Sequence, residues 1–311
     1  RPLEQAWGVK ADLSAPEANP AQRRQLSVAL AARLGPETPR DARIWMIRQL
    51  ERMGQDECVA ALEVLLADDD ILLSDPARRA LQKNPSPAAT QALLRGLSQT
   101  TDKGRKVGLI NALAERHDTH ALPALIALIE DSDNDISAAA IAGAAQFTDQ
   151  HSIATLRSVW RGDDEAKRNQ ASAGLLRVAE TLRRTGRGAE AASIYLDLFN
   201  SSIAAPLRVA ALAGMAHTDR NMAMRFLPKV LRGELEPFMQ LDAVRLLGEM
   251  PGDATTQLLA DTAPELPALI QVAVLDVLGE RGGPIARAAA YKALLSEDES
   301  VRIAALRALT V

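Results

Sequence analysis

The sequence predicts an all-α protein, an α-solenoid of about nine helical hairpins, and three observations carry that prediction. Apolar side chains recur at helical spacing and keep one phase through nine successive frames. The frames lie 31 or 32 residues apart, with a single step of 39, which is the period of a helical repeat. Aromatic residues make up only 3% of a chain that is 47% hydrophobic, so the core must be built from Ala, Leu, Val and Ile at close range. Runs of β-branched or aromatic residues are too few for a sheet.

The clearest frame is the last, "ESVRIAALRALTV". Val301, Ala304, Ala305, Ala308 and Leu309 are spaced i, i+3, i+4, i+7 and i+8, the buried stripe of an amphipathic helix. The same frame starts at Ala42, Leu73, Arg105, Ile136, Arg168, Leu207, Met239 and Ile270. Its final column reads Leu50, Leu81, Leu113, Ala144, Leu176, Met215, Leu247, Leu278 and Leu309, all apolar. The column four residues earlier reads Met46, Ala77, Leu109, Ala140, Ser172, Ala211, Ala243, Val274 and Ala305, apolar except for Ser172. These are the second helices of the hairpins.

First helices lie between them. The first is predicted in "AQRRQLSVALAARLG", and others in "ECVAALEVLLA", "ATQALLRGLS", "ALPALIALIE", "SIATLRSVW" and "MRFLPKVLRG". Residues 1–20 hold three prolines and no periodicity, and read as an irregular lead-in to a single solenoid over 21–311. Gly35, Gly54, Gly248, Gly279 and Gly282 follow second helices, where a left-handed cap is expected. The acidic turns "ADDD", "EDSDND", "RGDDE" and "SEDES" sit where they can cap the next helix. In the 39-residue step the second helix should run to about Arg184, turn at Gly186–Gly188 and enter a helix carrying Tyr195 and Phe199. That step resembles a tetratricopeptide hairpin, around 168–206.

"VRIAALRAL" and "HALPALIALIEDSDNDISAAAIAGAAQF" resemble HEAT repeats of the short bacterial kind named after phycobilin lyases. The resemblance implies a right-handed α-α superhelix. "LLSDPARRALQKNPSPAATQALLRGL", "KVGLINALAERHDTHALPAL" and "ELPALIQVAVLDVLGERGG" are similar to the HEAT arrays of large secreted or periplasmic bacterial proteins. In those, the array is often joined to a 3-keto-disaccharide hydrolase domain or a cytochrome-type domain. This likeness implies an extracytoplasmic module of a multidomain chain, periplasmic or secreted, and it brings no catalytic or haem-binding residue with it.

The search for chemistry is correspondingly thin. A net charge of −4 argues against a nucleic-acid binder, and no apolar run reaches the length of a membrane span. No G-x-S-x-G elbow, Walker loop or dinucleotide-binding turn occurs. His117 and His120 flank Asp118 but lack a visible third metal ligand, so the segment reads as a solvated turn. Cys58, the single cysteine, reads as buried and inert despite its place near a helix start. Asp163 and Asp164 are explained by capping. No catalytic, metal or cofactor residue is therefore assigned, and no cofactor is expected.

The basic residues say more. The frame's second column holds Arg43, Lys106, Arg208 and Arg302 among polar Ser74, Ser137, Asn169, Gln240 and Gln271. One reading is a structural ladder to acidic turns of adjacent hairpins. The other is a binding strip for an acidic partner formed by Arg43, Arg48, Arg78, Arg79, Lys83, Arg105 and Lys106. The function expected is a non-catalytic scaffold that presents a concave helical surface to protein partners or to further domains of the same chain. An accessory domain of a secreted carbohydrate-active or redox enzyme is the alternative, with a repeat-type lyase or DNA glycosylase more remote. The final helix lacks a polar outer face, so the chain is expected to continue past Val311 or to meet a partner there. Its start at Arg1 is expected to reflect processing or excision.

Overall fold

A computed structural model describes residues 19–201, 203–235 and 237–310. The lead-in expected over 1–20 lies outside the described residues except at its end, where Pro20 already opens the first helix. Among the described residues there are helices and turns but no strand. The helices are α1 (Pro20–Ala31), α2 (Arg40–Met53), α3 (Asp56–Leu66), α4 (Ile71–Lys83), α5 (Pro87–Gln99) and α6 (Lys103–Glu115). Then follow α7 (Leu122–Ala127), α8 (Asn134–Ala144), α9 (Gln150–Trp160), α10 (Glu165–Arg184), α11 (Gly188–Phe199) and α12 (Ala205–Thr218). The last are α13 (Arg220–Ala223), α14 (Leu227–Leu231), α15 (Gln240–Glu249), α16 (Asp253–Thr262), α17 (Ala268–Arg281), α18 (Gly283–Ala293) and α19 (Glu299–Thr310). Among the described residues consecutive helices pair as hairpins, and α10 ends at Arg184 as its pattern predicts.

The chain falls into two compact units, divided between Val178 and Ala179 within α10. In the first unit α2, α4, α6 and α8 pack successively as one layer, with α1, α3 and α5 as the other. In the second, α15, α17 and α19 pack side by side, backed by α16 and α18. This is the α-solenoid arrangement: within each unit a hairpin buries its apolar stripe against its own partner helix and a neighbouring hairpin. The register explains the core. Leu50, Leu81, Leu113, Ala144, Met215, Leu247 and Leu278 are at most 1% exposed. Ser172, the one polar residue in its column, is fully buried and donates its hydroxyl to the Arg168 carbonyl at 2.7 Å. An i−4 back-bond of this kind lets a polar side chain occupy a core position.

Acidic turns cap as expected. Asp70 accepts from the Leu72 amide, Asp133 from Asp135 and Ile136, and Asp298 from Ser300 and Val301. The glycine expectation is mostly corrected. Of the five named glycines only Gly282 has a positive φ, 64°. Gly248 and Gly279 lie inside α15 and α17, and a Cβ on Gly279 would come within 2.9 Å of the Ala308 Cα. That glycine is selected by the close approach of α17 and α19 rather than by a cap. Gly214 of α12 does the same for α11: its missing Cβ makes room for the Tyr195 ring.

Two first helices also depart from the simple pattern. "ALPALIALIE" forms one short α-helix with a 3-10 turn at each end. "MRFLPKVLRG" is not continuous, because a turn over Met224–Phe226 separates α13 from α14. Pro228 sits in the first turn of α14 and has no amide to extend a preceding helix.

Candidate functional site

The seven basic residues of the predicted strip divide by what their side chains touch. Arg43 lies 3.8 Å from Asp68, in the acidic turn of the next hairpin. Arg78 bonds Asp75 at 2.8 Å and Gln82 at 3.1 Å, and reaches the Gly108 carbonyl on α6. Arg105 donates to the Asp68 carbonyl at 2.7 Å. These three guanidinium groups tie one hairpin to its neighbour. Arg79 and Lys83 are exposed and lie beside Asp75 and Glu51, at 3.3 and 2.5 Å. Arg48 is exposed, and Lys106 is half-buried.

The frame's second column turns out to have a common task closer to home. Ser137 donates to the Ile129 carbonyl, Gln240 to Leu231, Gln271 to Leu266 and Arg208 to Phe199. Arg302 donates to the Ser296 and Glu297 carbonyls. Each reaches the end of its own first helix, or the turn just after it, where carbonyls lack helical partners. Arg43 of this column reaches Asp68 in the acidic turn of the next hairpin, as the expected ladder would.

Sequence reasoning missed a second position, eleven residues after the frame start. Arg116 in the first unit and Arg281 in the second occupy it. Arg116 donates to the carbonyls of Leu81 at 2.7 Å, Gln82 at 3.1 Å and Ser86 at 2.9 Å, and also to that of Asn84. Arg281 donates to the carbonyls of Leu247, Gly248 and Met250. Asn84, at the same position, reaches the Gln55 carbonyl at 2.9 Å. Arg116 and Arg281 close the C-terminal end of the preceding second helix, where the dipole favours a cation, and Asn84 reaches the turn just beyond one. Burial lowers the pKa of both arginines from the usual value. The shared register of Asn84, Arg116 and Arg281 was the signal available in sequence.

The turn holding the histidines is part of this device. Nε of Arg116 donates to the Thr90 hydroxyl at 2.9 Å, and that hydroxyl donates to Asp118 at 2.6 Å. The Thr90 bond, helped by His120 at 2.7 Å, holds the Asp118 carboxyl down at about 2 against the opposing effect of burial. Asp118 therefore belongs to a part-buried hydrogen-bond network at an otherwise exposed turn. His117 adopts φ 50° and stacks edge-on against Phe147. Among the described residues no three His, Cys, Asp or Glu side chains gather as a metal site. Cys58 is fully buried, and burial pushes its thiol up to about 11.

A partly exposed pattern remains. Helical rotation of about 100° per residue puts the third frame position almost opposite the buried stripe. It reads Ile44, Asp75, Val107, Ala138, Gln170, Val209, Leu241, Val272 and Ile303, and none of the nine is buried. Seven are apolar. In the second unit the row is unbroken, Val209, Leu241, Val272 and Ile303 on successive second helices, with Leu241 and Ile303 46% and 47% exposed.

Residues 106–177 match the HEAT-repeat family. Hairpins before and after that stretch keep its register, and the described residues form an α-solenoid that carries HEAT repeats over 106–177. No curated protein matches by sequence. Among solved structures, an engineered protein is 18% identical over 99% of this chain and 94% of its own, with a TM-score of 0.40. The complex of CpcE and CpcF of phycocyanin lyase from a Nostoc species is 18% identical over 81% of this chain and 93% of that one, at 0.39. Human deoxyhypusine hydroxylase in complex with glycerol is 15% identical over 93% and 96%, at 0.33. Likenesses at these scores carry no functional argument. Among the described residues no helix is long and apolar enough to cross a membrane.

Proposed function

We propose that this chain is a non-catalytic scaffold that binds protein partners on the outer face of its second-helix layer. The observation that carries the reading is the apolar row at the third frame position. Leu241 and Ile303 are exposed where an amphipathic helix ordinarily places a polar residue, while Val272 of the same row also packs against the core around Leu275, Val301 and Ala305. Val209, Leu241, Val272 and Ile303 line up as partly exposed apolar side chains on successive helices. Rows of this kind, continued across several elements, mark surfaces that associate.

The test uses wild-type protein and a Leu241→Glu/Ile303→Glu variant as baits against extracts of the source cells, after circular dichroism shows that both fold. Both side chains are exposed, so the folded state should tolerate the change. Retention of a specific protein by the wild type and its loss from the variant supports the reading. Equal recovery by both, or by neither, defeats it, as does hydrolysis of a 3-keto-glycoside by the chain alone.

A further inference from the structure

A different surface, in the first unit, speaks to the chemistry of one partner. Arg48 and Arg52 stand one turn apart on α2, at the seventh and eleventh frame positions. Arg79 and Lys83 stand at the same two positions on α4, which packs beside α2. All four are exposed. Like charges one turn apart weaken a helix, so two such pairs side by side work against the fold. The helix dipole accounts for Arg52 and Lys83, which lie in last turns. It does not account for Arg48 and Arg79.

Local carboxylates leave the cluster uncompensated. Asp75 faces Arg79 and Glu51 faces Lys83, while no described side chain pairs with Arg48 or Arg52. Four cations against two carboxylates leave +2 here, on a chain whose net charge is −4. The cluster is also bounded: the same positions on α6 are Asn111 and Glu115. Arg78 and Arg105, which tie hairpins together, are separate from it.

We propose that Arg48, Arg52, Arg79 and Lys83 form a docking surface for an acidic segment of a partner protein. The proposal rests on the interaction reading above and adds a partner chemistry to it. Charge complementarity steers such a segment onto the patch and makes its binding salt-dependent. A protein segment is favoured over nucleic acid because the patch is short and the surrounding chain is acidic.

The experiment titrates a fluorescent oligoglutamate peptide by anisotropy, at low and at physiological salt, in parallel with a single-stranded oligothymidylate. The proteins are the full wild-type chain, Arg48→Glu/Arg79→Glu, the milder Arg48→Gln/Arg79→Gln, and a control of equal charge change, Arg287→Glu/Lys292→Glu. Binding of the peptide by wild type, weakened about tenfold or more by either patch variant, is the expected result. The control should stay within about twofold of wild type. The proposal is overturned if wild type does not bind at low salt, or if the control loses as much as the patch variants. Tighter binding of the oligothymidylate at the same residues also overturns it. Such a failure leaves the apolar-row test untouched, so the two readings fall separately.

Discussion

Replacing Arg116 by methionine keeps most of its bulk and removes the charge and its five N–H donors. The guanidinium serves four carbonyls and the Thr90 hydroxyl through three nitrogen atoms. Several of these bonds share a donor nitrogen, so about three effective bonds are lost rather than five. Charge-assisted bonds contribute more than neutral ones, but the guanidinium has also been desolvated, which its lowered pKa records. At about 1 kcal/mol net for each effective bond, the variant should be destabilised by about 3 kcal/mol. In a repeat protein such damage is felt mainly between neighbouring hairpins. Native-state hydrogen exchange should therefore show faster opening in the last turn of α4 and the first turn of α5, with α17 and α19 unchanged. Arg116→Lys keeps the charge without the planar fork and should recover less than half of the loss. A change below about 1 kcal/mol at α4, or one spread evenly over the chain, would refute the idea that this arginine holds the hairpin ends together.

Acid should act through Asp118. Its folded carboxyl titrates at about 2 against an ordinary 3.8, so its contribution is complete above pH 4 and is lost as pH falls towards 2. The loss amounts to about 2 kcal/mol, and acid titration of Asp118→Asn, followed by circular dichroism, should show a flatter slope across that window. Gly214→Ala should cost about 1–3 kcal/mol, because the added methyl would lie 2.3 Å from the Tyr195 ring. Trimming that ring in Gly214→Ala/Tyr195→Leu should give less than additive destabilisation in denaturant melts. Cys58, with its thiol buried and raised to about 11, should resist maleimide at neutral pH in the native protein and react once the chain is unfolded. Labelling at equal rates in both states would show that the site opens freely.

Most of the architecture was legible from periodicity. The frame from Ala42 to Val301 located every second helix, and the 39-residue step located the longer α10. Apolar spacing is a local property of the chain, so it survives in a single sequence. Cap chemistry was equally local, which is why the acidic turns were placed correctly. Tertiary structure decided what lay beyond one helix. Gly248 and Gly279 follow an apolar stripe as a cap would, and only the neighbouring helix reveals that Gly279 makes space for Ala308. The strip from Arg43 to Lys106 looked uniform because a guanidinium is the same letter whether it ties two hairpins or faces water. Arg78 and Arg105 reach carbonyls on residues 30 and 37 positions away, and Arg116 closes a helix end some 30 residues behind it. The hydrogen-bonding needs of helix ends are written nowhere in the side-chain pattern. They are met by whichever donor the stacking of hairpins brings within reach, and that is settled only when the chain is folded.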